Sequence, residues 1–237
     1  MKKTLCLLAI LAAGLCATAQ KPLLTPQQMP NAVRFLPPPP AKGSAAFAYD
    51  QEQYQWGKAQ RQDSVRRAIA IRDADWSMAT ICREFSEPFG MELSEERTPA
   101  IYAMLYTALI TNDGIGRIPK EHYRRMRPYV YYEESTLVPE HEESLRHNGS
   151  YPSGHTIEGW GAALLLSELN PDRADTLLAR GYMYGQSRVV AGYHWQSDVQ
   201  AGMVAASAGI ARLHADKRFR QMMAKARKEY RRLSRRK

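Results

Sequence analysis

From Asp50 onward the apolar residues recur at helical spacing, and no run alternates apolar and polar residues as a half-buried strand would. That pattern constrains the fold more than any other feature of the chain. Asp63 to Phe85 is rich in Ala, Ile and Arg with apolar residues at helical intervals. Thr98-Pro99 reads as an N-cap followed by a proline at the first helical position, opening a helix through Ile110 that ends near Asn112-Asp113-Gly114. Further helices are predicted over Ile157–Leu169, from Asn170-Pro171 toward Val190, and from about Trp195 to Leu213. With 237 residues, 44% of them hydrophobic, the chain is long enough for a sizeable core. Internal repeats and long flexible linkers are missing from it. The expectation is all-α, a single-domain helical bundle.

The two ends differ from this body. Met1-Lys2-Lys3, the apolar run Leu5 to Leu15 and Ala17-Thr18-Ala19 form a basic start, a short apolar stretch and an Ala-x-Ala site. This is the pattern of a secretory signal peptide (residues 1–19) cleaved after Ala19, and the run is shorter than the roughly 20 residues of a spanning helix. Cleavage removes Cys6 and Cys16 and leaves Cys82 alone, so no internal disulfide is expected. Residues 20–45 carry much of the proline, including Pro37-Pro38-Pro39-Pro40, and read as an extended arm leading into a domain over 46–237.

The formal charge of +9 suggests a polyanionic partner only until it is located. The signal contributes +2, and Lys217 to Lys237, with eleven Lys/Arg against Glu229, contributes +10. The remaining body carries −3, which argues against a nucleic-acid-binding face. In the basic segment Phe219, Met223, Ala226 and Tyr230 recur at helical spacing, predicting a final helix packed on the domain with its arginines in solvent.

Three segments place cations and imidazoles at spacings that suit a phosphate. The first is Lys120, six residues, then Arg127-Pro128; the second is Gly149-Ser150-Tyr151-Pro152-Ser153-Gly154-His155-Thr156; the third is Ser187-Arg188, five residues, His194, three residues, Asp198. Pro152-Ser153-Gly154-His155 precedes a helix, whose free N–H groups and macrodipole bind anions. The Ser153 hydroxyl adds a donor, and Gly154 permits close backbone approach; taken alone, the segment reads first as an ordinary turn and N-cap. If residues 194–198 are helical, His194 and Asp198 share a face, where the carboxylate would fix the imidazole tautomer and make its other nitrogen a better nucleophile or base. Taken alone the pair reads first as a surface ion pair, and second as two ligands of a metal with His155 as the candidate third. Lys120, Arg127 and Arg188 together outweigh a phosphate dianion, and each guanidinium can clamp two oxygens.

In that order the three segments resemble the tripartite signature of the type 2 phosphatidic acid phosphatase superfamily, which includes vanadium-dependent haloperoxidases, membrane lipid phosphatases and bacterial class A nonspecific acid phosphatases. The class A enzymes are the closer likeness. Gly149 to Thr156 resembles their diagnostic block, Leu36 to Pro40 with Gly43-Ser44 and Asp50 their N-terminal arm, and Ile118 to Tyr123 and His194 to Asp198 are also similar. Ala191 and Gln200 stand where enteric relatives suggest Cys and Asp, and neither is a motif position.

The resemblance implies a helical bundle of the acid phosphatase/vanadium haloperoxidase type. Its implied activity is metal-independent hydrolysis of phosphate monoesters at acidic pH, with a broad substrate range, no cofactor and a periplasmic location. It implies His194 as nucleophile forming a phosphohistidine, Asp198 holding its ring, and His155 as acid and then base. Lys120, Arg127, Arg188 and the N–H groups near Ser153-Gly154 would surround the phosphoryl oxygens. With an ordinary His155 pKa near 6.5, a bell-shaped pH profile is expected. The implied partners are small phosphate monoesters and inorganic phosphate; relatives are often homo-oligomers. The alternatives are a vanadium-dependent haloperoxidase, a phosphotransferase and a lipid phosphatase of the same superfamily. Nothing in the motifs selects the leaving group.

Overall fold

Helix boundaries in the computed structural model follow local capping chemistry, and the structure describes residues 21–235. The export signal expected at residues 1–19 lies outside them. The α-helices are α1 (Ala45–Gln60), α2 (Ser64–Arg72), α3 (Met78–Phe89), α4 (Pro99–Asp113), α5 (Arg117–Tyr123), α6 (Pro128–Tyr132), α7 (Glu142–Arg146), α8 (Gly154–Leu169), α9 (Ala174–Ala191), α10 (Gln196–His214) and α11 (Lys217–Ser234). No strand occurs among the described residues. Side-chain oxygens of Ser44, Asp63, Ser77, Ser153 and Asp216 accept first-turn amides of α1, α2, α3, α8 and α11, supplying partners the helix itself cannot.

Helix α8 is the centre of the molecule. Its Ile157, Leu165 and Leu166 share one buried cluster with Ile101, Met104 and Leu105 of α4, Phe85 of α3, Ala206 and Ile210 of α10, and Phe219 and Met223 of α11. Its broadest contact is with α9. There Gly159 is required by close approach: a Cβ would stand 2.4 Å from Cδ1 of Tyr184. The proline-rich arm joins the same core through Leu24, Met29, Ala32 and Leu36, and the Tyr151 hydroxyl donates to the Pro37 carbonyl at 2.6 Å.

Two sequence expectations need correction. The run predicted as helical from Asp63 to Phe85 is two helices broken at Asp73–Ser77. Asp75 accepts from the hydroxyls of Ser77 (2.8 Å) and Thr80 (2.6 Å), and Ser77 caps α3; these short polar side chains outcompete continuation of the helix. Thr98 does precede Pro99 at the start of α4, but its hydroxyl turns back to Ser94. The α4 amides of Ala100 and Ile101 donate instead to the Glu229 carboxylate, at 3.0 and 2.9 Å. The one acidic residue of the basic terminal segment therefore docks α11 onto the start of α4. Phe219, Met223 and Ala226 are buried beside it, as their spacing predicts.

Among the described residues no helix is long and apolar enough to cross a membrane. Cys82 is a free, buried thiol.

Candidate active site

Lys120, Arg127, Gly154, His155, Arg188 and His194 line one cleft of about 490 Å³. They arrive on several local devices. Lys120 sits in the last turn of the short helix α5, and Arg127 occupies the extended N-cap position of α6, with Pro128 at its first helical position. Gly154 and His155 are the first two residues of α8, where the amides have no intrahelical partner. Arg188 lies in the last turn of α9, which ends at Gly192 with φ +90°, a left-handed cap that turns the chain toward His194.

His194 precedes α10, so the helical spacing anticipated for His194 and Asp198 is not what joins them. Asp198 stands in the first turn of α10, and its Oδ2 accepts the Trp195 amide at 2.9 Å and lies 3.3 Å from Nδ1 of His194. On the other side Nη1 of Arg127 is 3.0 Å from Nε2 of His194. Guanidinium nitrogens only donate, so Nε2 carries the lone pair and Nδ1 the hydrogen. Nε2 is then the nitrogen presented to the cleft.

Asp198 is itself held by groups that motif reading missed. Arg125 donates Nη1 to Asp198 Oδ1 (2.5 Å) and to Ser197 Oγ (2.7 Å), and Nη2 to Asp50 Oδ2 (2.6 Å). Asp50 also accepts the Ser197 amide (2.8 Å) and hydroxyl (2.6 Å). Arg125 lies between two predicted cleft cations, a position that could have drawn attention. Asp50 lies far off in sequence, on α1, and only the fold brings it here.

The His155 ring is set by the break between α2 and α3. Its Nε2 is 3.1 Å from the Ala74 carbonyl, which only accepts, so Nε2 carries a hydrogen and Nδ1 is left for the cleft. The Trp76 indole and the His155 ring meet in a T-shaped pair, 4.7 Å between centroids and 85° between planes. Ser187, beside Arg188, donates to Asp73 at 2.6 Å, and Arg180 also pairs with Asp73, fixing the same loop to α9.

Arg188 is the feature that most defines the site. It is 0% exposed, its Nε, Nη1 and Nη2 have no hydrogen-bond partner, and the Tyr193 ring lies 4.6 Å from the guanidinium carbon. Burial lowers its pKa to about 10, still protonated at any physiological pH. Such a group costs stability unless an anion completes it. Lys120, donating to the Gly149 carbonyl at 2.9 Å, is pushed down to about 7 by burial and then by Arg127. Burial, followed by Arg127 and Lys120, holds His194 well below the usual histidine value; burial and Arg188 do the same to His155. The ordinary value expected for His155 is therefore not what its surroundings give. The causes are burial first and the neighbouring buried cations second.

Of the residues expected at the site, Ser153 and Asp198 stand behind the cleft rather than in its lining. Ser153 Oγ accepts the Thr156 amide (3.4 Å) and hydroxyl (3.0 Å), and its own amide donates to the Asp198 carbonyl (3.0 Å). It thereby ties the start of α8 to α10. Among the described residues no three His, Cys, Asp or Glu side chains are grouped to hold a metal ion.

Fold and cleft together define an all-helical protein with a cationic oxyanion pocket flanked by two histidines. The sequence profile of the PAP2 superfamily matches residues 99–221. The chain is 42% identical over 205 residues to a non-specific acid phosphatase of Providencia stuartii, covering 86% of this chain and 82% of that one. It is 42% identical over 222 residues to a non-specific acid phosphatase of Salmonella typhimurium, covering 93% and 88%. With an acid phosphatase of Zymomonas mobilis the identity is 42% over 196 residues, covering 82% and 74%. The chain belongs to the PAP2 superfamily and, within it, to the bacterial non-specific acid phosphatases.

Proposed function

We propose that the protein hydrolyses phosphate monoesters at acidic pH through a phosphohistidine on His194, without a metal ion. The observation that carries this reading is the unpartnered guanidinium of Arg188, converging with Lys120, Arg127 and the α8 N-terminus on the cleft that holds both histidines. A phosphoryl group supplies the acceptors that the Arg188 guanidinium and the first amides of α8 lack, and its charge, spread over the equatorial oxygens in the transition state, is what these groups, Lys120 and Arg127 stabilise.

In the first step the Nε2 lone pair of His194 attacks phosphorus while the bond to the leaving oxygen breaks. His155 gives that oxygen its Nδ1 proton. Asp198 accepts the Nδ1–H of His194 throughout and stabilises the positive charge that grows on the ring. In the second step His155 takes a proton from water, the hydroxide oxygen bonds to phosphorus, and the P–N bond breaks to restore neutral His194. Arg127 shifts its hydrogen bond from Nε2 to a phosphoryl oxygen, freeing the lone pair.

Acidic operation follows from the cations. Lys120 keeps its proton below about pH 7, and His155 needs a proton for the first step. Residues 1–19 act as a cleaved export signal delivering the protein to the periplasm; residues 20–45 form its arm and 46–237 its phosphatase domain.

The test is release of p-nitrophenol from p-nitrophenyl phosphate across pH, with and without chelator. Turnover greatest on the acid side of neutrality and indifferent to chelation is expected. No turnover, or inactivation by chelator reversed by zinc, contradicts the reading.

A further inference from the structure

A second cavity of about 460 Å³ adjoins the catalytic cleft and shares two walls with it, Trp76 and Asp113. Tyr102 and Tyr106 form part of the rest, one turn apart on α4, with rings 6.2 Å apart and 15° from parallel. Glu158 of α8 completes it. Its residue is 6% exposed, and its Oε2 is the only carboxylate oxygen among the described residues that is buried without a hydrogen-bond partner. Burial first, then Asp113 and Asp75, hold this carboxyl well above the usual carboxylate range. It is therefore a neutral acid with one O–H to donate and one carbonyl to accept. A group of this kind is costly in a core and is retained where it meets a ligand.

The placement relates the cavity to the reaction. His155 and Glu158 are three residues apart on α8 and so share a face. Trp76 is 47% exposed, unusual for an indole, and forms a T-shaped pair with the His155 ring. It stands between the cleft and the second cavity, beside the histidine that protonates the leaving group. The core gives no reason for an exposed tryptophan there.

We propose that the second cavity is the leaving-group subsite, where Trp76, Tyr102 and Tyr106 take a flat ring and Glu158 reads the ring's polar edge through a donor–acceptor pair. The inference rests on the phosphatase reading, and it adds what the phosphate-binding motifs leave open. The favoured substrates are monoesters whose leaving group carries a flat, polar-edged ring. A glycerol-sized leaving group meets Trp76 at most, and reaches neither the tyrosine pair nor Glu158.

The experiment compares kcat/KM for a nucleoside 5′-monophosphate and for glycerol phosphate in wild type, Glu158→Leu, Glu158→Gln and Tyr106→Ala. A non-hydrolysable nucleoside phosphonate is titrated by calorimetry into the same proteins. Glu158→Leu replaces an unsatisfied acid with an apolar group of similar size, so it is expected to fold, checked by thermal melting. The nucleotide-to-glycerol-phosphate ratio should fall about tenfold in Glu158→Leu, carried by KM, the loss of roughly one well-placed buried hydrogen-bond pair. It should fall in Tyr106→Ala too, and stay within about threefold of wild type in Glu158→Gln, which keeps a donor and an acceptor. Phosphonate affinity should follow the same order. Ratios and affinities unchanged in both Glu158→Leu and Tyr106→Ala overturn the subsite. Failure of the wild type to turn over either substrate would overturn the phosphatase reading instead, and the phosphonate titration would still decide the subsite.

Discussion

Asp198 accepts from His194 on one oxygen and from Arg125 on the other, so one buried carboxylate couples the nucleophile to a second layer of charge. The arrangement fixes the hydrogen of His194 on Nδ1, away from the cleft. In Asp198→Asn the ring keeps its place but loses both tautomer control and the compensating charge. A kcat lower by about 10³-fold or more is expected, by analogy with carboxylate–imidazole pairs in other hydrolases. A loss under tenfold in steady-state assays would remove Asp198 from the mechanism.

Asp50 acts one step further out, as a positioning residue. Asp50→Asn leaves the Arg125 guanidinium short of one charged partner, and kcat should fall more than KM rises, with a lowered Tm. Restoring the carboxylate as Asp50→Glu should recover part of kcat. A variant that loses stability while keeping kcat and KM would make Asp50 purely structural.

Arg188 sets function against stability. Arg188→Met removes a buried cation without partners, so the substituted protein should melt at a higher temperature in phosphate-free buffer. Inhibition by inorganic phosphate should weaken on the order of 10²-fold, the worth of one or two charge-assisted hydrogen bonds. A lower Tm together with unchanged phosphate inhibition would refute the assignment.

The two histidines give the pH profile an unequal shape. Burial and the neighbouring cations depress both pKa values, so His194 stays neutral, and able to attack, far into acid. The His155 proton is held in the free enzyme only at low pH, because the depressed pKa is passed early as pH rises. A bound phosphate dianion offsets Arg188 and raises that pKa. The alkaline limb of kcat, which reports the bound complex, should therefore lie at higher pH than that of kcat/KM, which reports the free enzyme. Coincident limbs would contradict the electrostatic account.

Glu229 separates architecture from chemistry. Glu229→Ala leaves the Ala100 and Ile101 amides of α4 without their acceptor, at a cost of about 1 kcal/mol and no more than roughly 2. For a domain of this size that is a Tm lower by roughly 2–8 °C. An unchanged Tm would mean that water replaces the carboxylate fully.

Several helices were legible where a cap or a proline punctuated an apolar period: Pro99, Ser153 and the Phe219–Met223–Ala226 stripe all stand where the pattern puts them. Helix α1, capped by Ser44, and the short α6, opened by Pro128, were not singled out. The break at Asp73–Ser77 was less legible, because its signal is a local contest between Asp75, Ser77 and the helix backbone, inside a run whose apolar spacing continues. Lys120, Arg127, Gly154, His155, Arg188 and His194 could be named from spacing and resemblance, and the fold brings all six to one cleft. What periodicity cannot carry is contact across the chain. Asp50 reaches Ser197 over 147 positions, and the Ala74 carbonyl reaches His155 over 81. Nor does spacing show that Glu158 would be buried without a partner.

The central claim is that phosphorus becomes bonded to Nε2 of His194, and trapping that bond tests it most directly. In His155→Ala, p-nitrophenolate needs no proton to leave, whereas water loses the base that activates it. Mixing this variant with p-nitrophenyl phosphate and quenching in alkali, where phosphohistidine survives, should give a burst of one nitrophenolate per site. Mass analysis should find one phosphoryl group on the peptide carrying His194. Linear release without a burst, or a phosphoryl group on any other residue, would contradict the account.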